Sequence, residues 1–263
     1  MINTDRLIED LAKVREKSPL VHNITNYVVM NNTANALLAI GASPVMAHAV
    51  EEVADMAAIA SALVLNIGTL EPSWVKAMVI AAESAHRAGI PVVFDPVGAG
   101  ATPYRSDTSA MMLRECRPSV IRGNASEIMS LLNASAKTKG VDSTASSDSA
   151  VASAQALAKD TGAVVVISGA VDYVTDGART GEVRNGSPLM SRVTGMGCTA
   201  TAVVGAFSAV NPDLFEASLH AMAVMGIAGE AAASGAEGPG SLQMRFLDAL
   251  YNLDETVIRQ YIR

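Results

Sequence analysis

Residues 62–100 read ALVLNIGTLEPSWVKAMVIAAESAHRAGIPVVFDPVGAG, and this stretch decides the fold. Its two apolar runs, Ala62-Leu63-Val64-Leu65-Asn66 and Pro91-Val92-Val93-Phe94-Asp95, are short and nearly continuous. A strand with one wet face alternates apolar and polar residues, whereas a strand covered on both faces reads as these runs do. Between them, Ser73 to Arg87 has helical spacing and a clean start after Pro72. Strand, helix and strand in that order predict parallel pairing with a crossover helix.

Outward from that unit the pattern repeats. Ser119-Val120-Ile121-Arg122 and Ala163-Val164-Val165-Val166-Ile167 predict further strands, and Asp107 to Cys116, Ala125 to Leu132 and Ser147 to Thr161 further helices. After Ser168 the chain changes character: Val171 to Gly177, then Thr180 to Arg184, then the turn Asn185-Gly186 predict short antiparallel strands at a sheet edge. From Gly197 onward helices dominate, ending with Ser241 to Leu250 and Asp254 to Tyr261, while the Ala/Ser/Thr/Lys-rich stretch Asn133 to Asp148 predicts a surface excursion. No linker or internal repeat divides the chain. The expectation is an α/β protein in which residues 1–263 form one domain, with an open, mostly parallel sheet, helices on both faces and some antiparallel edge strands.

Composition narrows the partners. Nineteen basic against twenty-six acidic residues give a net charge of −7, without a Lys/Arg cluster to neutralise a run of phosphates, so nucleic acid is not expected. The two cysteines, Cys116 and Cys198, are far apart in apolar or small-residue surroundings, which suits a reducing cytoplasm. The N-terminus carries no basic stretch followed by an apolar core and so no export signal. Cys198 to Val210 and Ala221 to Ala233 are apolar nearly all round, but both are shorter than the roughly 20 residues a bilayer span needs, and Glu230 interrupts the second. Buried helices, not membrane helices, are expected.

In open α/β sheets ligands bind beyond the carboxyl ends of the strands. That rule collects Asn66-Ile67-Gly68, Asp95-Pro96-Val97-Gly98, Arg122-Gly123-Asn124 and Ser168-Gly169 at one edge, although turns alone also call for such residues. In Val193-Thr194-Gly195-Met196-Gly197-Cys198-Thr199, Gly195 and Gly197 open a small-residue helix whose free N–H groups and dipole suit an anion. No Gly-Lys-Ser/Thr follows and no third glycine completes a dinucleotide fingerprint, so the spacing admits both a phosphate cradle and a tight helix start. Arg122 at the ligand edge suits a phosphate clamp. Asp95 and Glu127 suit Mg²⁺ held directly or through water, and for Glu127 the alternative is a first-turn acid favoured by the helix dipole. His22, His48, His86 and His220 have no metal-ligand spacing and form no Ser-His-Asp arrangement, which weighs against zinc and hydrolase chemistry. His86 reads as structural, and Met30, Met46, Met111, Met112, Met222 and Met225 as core filling.

Five ordered blocks carry a resemblance: Ser18 to Asn26, Leu38 to Met46, Asp95 to Ala101, Arg122 to Ile128 and Gly195 to Cys198. Over about Ser18 to about Leu250 the chain resembles the hydroxyethylthiazole kinase family of the ribokinase-like superfamily. The resemblance implies a thiazole pocket at Asn26, Met46 and Gly195, and ATP contacts at Arg122 and Ser168 with Asn124 beside them. It also implies Mg²⁺ at Asp95 and Glu127, and catalysis around Cys198, Gly195, Gly197 and Arg122. A homotrimer with sites at subunit boundaries, and phosphoryl transfer from ATP to a primary alcohol, follow from the same likeness. Two positions are distinctive: Cys198 stands where most ribokinase relatives place an aspartate base, and Ala170 where family members carry a glutamate. Two other classes compete. An ATP-dependent lyase of the hydrate dehydratase type shares the fold but places an acid at the position of Cys198, and a non-catalytic thiazole- or nucleotide-binding protein needs no base there.

Overall fold

Residue alternation along the central strands sorts the protein into two apolar layers. In β3 (Ala62–Asn66) Leu63 and Leu65 enter one core and Val64 the other; in β4 (Val92–Asp95) Val92 and Phe94 oppose Val93. The computed structural model describes residues 2–137 and 148–263. Its eight strands form one sheet in the order β2-β1-β3-β4-β5-β6-β7-β8. The remaining strands are β1 (Leu20–Ile24), β2 (Ser43–Val45), β5 (Val120–Asn124), β6 (Val164–Ser168), β7 (Asp172–Thr175) and β8 (Thr180–Val183). Pairing is parallel from β2 through β6, and antiparallel from β6 to β7 and β7 to β8. The expected mixed sheet with an antiparallel edge is therefore the observed one.

Helices α3 (Val53–Ile59), α4 (Pro72–Ala88), α5 (Pro103–Cys116), α6 (Ala125–Lys137) and α7 (Asp148–Thr161) pack on the Leu63–Leu65 face. The opposite face carries α1 (Thr4–Lys17), α2 (Met30–Ile40), α8 (Met196–Ser208), α9 (Leu214–Ala233), α10 (Pro239–Asn252) and α11 (Glu255–Tyr261). Fully buried Phe94 and Phe207 anchor the two layers, each contributing about 1.5–3 kcal/mol by removal from water.

Several boundaries differ from the sequence reading for identifiable reasons. The sheet gains β1 and β2, which periodicity does not mark: His22 and Asn23 interrupt the first run, and the second is three residues containing Pro44 at the sheet edge. Helices α1 to α3 were likewise not predicted. Helix α5 starts at Pro103 rather than Asp107 because the Thr102 hydroxyl accepts the Arg105 N–H (3.2 Å) and proline suits the first turn. Helix α6 continues to Lys137, through the first part of the expected excursion at Asn133 to Asp148; residues 138–147 of that excursion lie outside the described residues. Helix α9 reaches back to Leu214, 20 residues in all, because the Asp213 carboxylate caps the Phe215 and Glu216 N–H groups. Both α8 and α9 are buried within the protein as expected, and among the described residues no helix is long and apolar enough to cross a membrane. Glu230 escapes the apolar surroundings of α9 by accepting the Gly186 N–H (2.9 Å) and pairing with Arg263 (3.1 Å).

One ionic cluster fastens the first helix to the rest. Asp10 of α1, buried, accepts from Lys13 (3.0 Å), Asn211 (2.6 Å) and His220 of α9 (2.8 Å). Burial pushes the Asp10 carboxyl up, but the Lys13, His220 and Asn211 hydrogen bonds outweigh it and hold the group below the usual carboxylate range. A folded-state pKa below the unfolded value stabilises above the unfolded pKa and loses that contribution as pH falls through the folded one. Asp10→Asn is expected to lower the unfolding free energy by about 3 kcal/mol at pH 7. In urea titrations that deficit should shrink as pH falls below about 4, where the carboxylate of the unfolded chain protonates, toward the lower folded-state pKa.

Candidate active site

The carboxyl ends of β1, β3, β4 and β5 and the start of α8 meet at one edge of the sheet, because α8 lies across β1, β3 and β4. The centre is Asp95, the last residue of β4, only 1% exposed. Its Oδ2 accepts from the Thr201 hydroxyl (2.7 Å) and from Asn66 Nδ2 (3.0 Å). Burial pushes the Asp95 carboxyl up to about 6; Arg122 and the two hydrogen bonds oppose that rise, and the negative charge of Glu127 adds to it.

Asn66 ends β3, and its Oδ1 accepts from the Gly68 N–H (2.9 Å) and from Asn26 Nδ2 (2.9 Å). A Cβ at Gly68 would lie 2.5 Å from Asn26 Nδ2, so that approach requires glycine. Asn26 Nδ2 also reaches Cys198 Sγ at 3.5 Å. Burial, then the Asp95 charge, push the Cys198 thiol up to about 11, and the Asn66, Asn26 and Arg122 contacts lower it only in part. Such a thiol is thiolate in about one molecule in ten thousand at pH 7.

Gly195 opens α8 at φ +84° and brings no capping side chain, so the Met196, Gly197 and Cys198 N–H groups begin the helix uncapped. Any Cβ at Gly195 would meet Val29 at 2.8 Å. Gly197 has a separate reason to be glycine: its missing Cβ leaves room for Arg122, whose Nη1 would be 2.8 Å away from it. Arg122 is 8% exposed and its Nε is buried with no hydrogen-bond partner. A buried guanidinium with an unmet donor, set against a bare helix start, has the chemistry to take an anion.

Glu127 is a first-turn acid of α6 in the structure. Its Oε2 accepts the Asn124 N–H (2.8 Å) while Asn124 Oδ1 accepts the Glu127 N–H (3.0 Å), a reciprocal cap that starts α6. Its Oε1 accepts the Gly98 N–H (2.8 Å), fixing the loop after β4 beside Asp95. The same loop is tied by Arg105, which donates to the carbonyls of Val97 (2.7 Å), Ile67 (2.8 Å) and Gly68 (2.9 Å).

The structure thus gathers Asp95, Glu127, Arg122, Gly195, Gly197, Cys198 and Asn26 around one edge. Ser168 ends β6 and, with Arg122 and Gly197, lines a cleft of about 500 Å³ that continues past Ala170 and Asp172 to Met222 and Met225 of α9. Asn124 spends its side-chain oxygen on the helix cap, taking the Ser126 hydroxyl as well (2.7 Å). Met46 follows the edge strand β2, one strand beyond β1, with its carbonyl 3.3 Å from His48 Nδ1. Sequence reasoning missed Thr201, three residues along α8 from Cys198, and Asp172, whose carboxyl burial raises to about 6 against the Gly169 N–H and Arg122. The spacing of Thr201 on a predicted helix was its only signal. The histidines join none of this: His22 is buried in β1, His48 packs on Trp74 (4.5 Å between ring centroids), His86 meets the Cys116 carbonyl (2.8 Å) and His220 pairs with Asp10. Among the described residues no three His, Cys, Asp or Glu side chains cluster as a metal cage.

Comparisons with known proteins bear on this geometry. The model of the hydroxyethylthiazole kinase family matches residues 11–256. The chain is 59% identical over 253 residues to hydroxyethylthiazole kinase of Leptospira biflexa, covering 96% of this chain and 95% of the relative. It is 54% identical over 262 residues to the corresponding kinase of Nitratidesulfovibrio vulgaris strain DP4, covering 100% and 98%. The solved hydroxyethylthiazole kinase of Pyrococcus horikoshii OT3 superposes with a TM-score of 0.92 at 46% identity, covering 98% of each chain. A ribokinase-like superfamily protein of Enterococcus faecalis, 12% identical with a TM-score of 0.66 over 97% of this chain and 96% of its own, shares the fold.

Burial of the two thiols has a direct chemical readout. Cys116, raised to about 12 by burial and by the charges of Glu115 and Glu83, and Cys198, raised to about 11, should both resist iodoacetamide in the folded protein at pH 8. The expected alkylation rate is roughly a hundredth or less of that of a free thiol, rising to the free-thiol rate in guanidinium. Fast modification of Cys198 in the folded state would contradict this picture of the site.

Proposed function

The chain belongs to the hydroxyethylthiazole kinase family, and on that premise we propose how its residues move the γ-phosphoryl group of ATP onto 4-methyl-5-(2-hydroxyethyl)thiazole. The reaction gives the thiazole phosphate of thiamine biosynthesis and salvage. The observation that carries the assignment of roles is Arg122: buried, with an unmet Nε donor, and packed on Gly197 at the uncapped start of α8.

Phosphoryl transfer leaves little covalent chemistry for the protein and depends on alignment and on neutralising charge. Arg122 offsets the charge of the triphosphate. The Met196, Gly197 and Cys198 N–H groups, with the dipole of α8, hold the oxygens of the moving phosphoryl group. Ser168 and Asn124 bind the nucleotide side, and the cleft toward Met222 gives its remaining portion room. On the opposite side, Asn26, Met46 and Gly195 bind the thiazole and turn its hydroxyethyl arm toward Cys198.

Asp95 and Glu127 are assigned to Mg²⁺. They are hard oxygen donors close enough for the charge of Glu127 to raise Asp95, and an added cation relieves that conflict. Both carboxylates are already held by N–H or O–H donors, which suits an ion coordinated largely by phosphate oxygens and water. Mg²⁺ held by Asp95 and Glu127 would supply positive charge to screen the transferring phosphates.

Cys198 is not the base. A thiol raised to about 11 cannot take a proton efficiently near pH 7, and in a loose transition state the acceptor hydroxyl keeps its proton late. Its contribution is its N–H and its small size beside the acceptor. The lyase alternative needs an acid where Cys198 stands and is set aside. Residues 1–263 are taken as one kinase domain, supported by the single sheet. A homotrimer with boundary sites is supported by exposed Tyr27 (59%) and Val28 (67%) directly after Asn26, apolar surface that a second copy would cover. A reducing cytoplasm is supported by two unpaired cysteines.

With hydroxyethylthiazole, ATP and Mg²⁺, mass spectrometry should detect phosphorylated thiazole. Arg122→Ala should lower kcat/KM by on the order of 10²- to 10³-fold. Absence of product at every substrate concentration would overturn the kinase reading, and near-normal rates in the variant would mean that the phosphates lie elsewhere.

A further inference from the structure

We propose that Asn66 is a positioning residue of the kinase reaction, the hub that fixes Asp95 relative to the acceptor side of the site. The inference rests on the reading that Asp95 works at the transferring phosphates. Asn66 is 1% exposed and does not border the nucleotide cleft, so it acts through its neighbours. Each atom of its carboxamide has a set partner. Nδ2 donates to Asp95 Oδ2 (3.0 Å), while Oδ1 accepts from Asn26 Nδ2 (2.9 Å) and the Gly68 N–H (2.9 Å).

That pattern leaves Asn66 one orientation. Asp95 accepts only, so the amide nitrogen of Asn66 must face it, and the oxygen must face Asn26 and Gly68, which donate. Asn26 then turns its remaining N–H toward Cys198. One side chain thereby ties the carboxylate at the end of β4 to Asn26, two residues past β1, and, through it, to the start of α8. Thr201 completes the grip on the same carboxylate oxygen from the other side at 2.7 Å, while also reaching the Gly197 carbonyl at 3.2 Å. Two donors on Oδ2 fix the plane of a carboxylate that desolvated surroundings would otherwise leave without compensation.

Asn66→Asp separates this role from simple packing. It keeps shape and the acceptor oxygen for Gly68 and Asn26, but sets a carboxylate oxygen against Asp95 where the donor was. Steady-state kinetics should show kcat reduced by on the order of 30-fold, with KM for ATP and for thiazole within about threefold of wild type, because the interaction is not made with substrate. Thr201→Val should lower kcat by on the order of tenfold, and the double variant should fall little below Asn66→Asp alone, since both act through one carboxylate. Should Asn66→Asp not fold, Asn66→Ala carries the same expectation of at least a tenfold loss in kcat. A folded variant with kcat within threefold of wild type, a loss confined to KM, or fully multiplicative losses in the double variant would overturn the proposal. Inactive wild-type protein would instead sink the kinase reading, so the two failures are distinguishable.

Discussion

The site depends on one constraint: a carboxylate buried at the end of a central strand must be compensated by groups that the fold brings to it. Asp95 has almost no solvent, and its raised pKa shows that its partners compensate it only in part. The elements that supply those partners are the ones the fold holds most firmly. Asn66 comes from the neighbouring strand in register, as the pair Asn66–Asp95 ends the β3–β4 ladder. Thr201 comes from α8, which the alternating valines of β1, β3 and β4 hold against the sheet. Apolar packing sets the position of α8, and the position of α8 sets the polar site.

The same helix places a second charge problem beside the first. Arg122 lies within β5, two residues before its end, and is buried against Gly197 without a partner for Nε, an arrangement that costs stability unless an anion completes it. Burying a donor that waits for a ligand is how a site stores selectivity for that ligand. Cys198, between the two, is electrostatically quiet: its thiol is raised by burial and by Asp95, so the charge at the site is carried by Arg122, by the carboxylates and by backbone N–H groups. In the proposed mechanism these fixed dipoles, and not a titrating side chain, supply most of the acceleration.

Much of this was legible in the sequence, and the remainder was hidden for physical reasons. The run Ala62 to Asn66 is a strand in the structure with the same bounds, because its residues are buried on both faces and periodicity reports burial. Asp95, Arg122 and Ser168 could be placed at one edge because parallel strands end together. By contrast, β1 holds His22 and Asn23 and therefore does not read as apolar, so Asn26 was reachable only through family resemblance. The Asn66 hub was visible as a turn-forming residue but not as a hub, since its partners lie 29 and 40 positions away. Glu127 bears out the reading as a first-turn acid, one oxygen capping α6, while its second oxygen secures the loop at Gly98, a contact that sequence spacing does not signal.

The claim that α8 and Arg122 form one anion-binding unit is tested most directly by Gly197→Ala, followed through transfer of the labelled γ-phosphate of ATP to hydroxyethylthiazole. The added methyl would lie 2.8 Å from Arg122 Nη1 and must displace the guanidinium. Transfer should fall by on the order of 10²-fold while thermal stability stays near that of wild type, since alanine is a good helix former. Wild-type transfer rates in this variant, with the protein folded, would contradict the account.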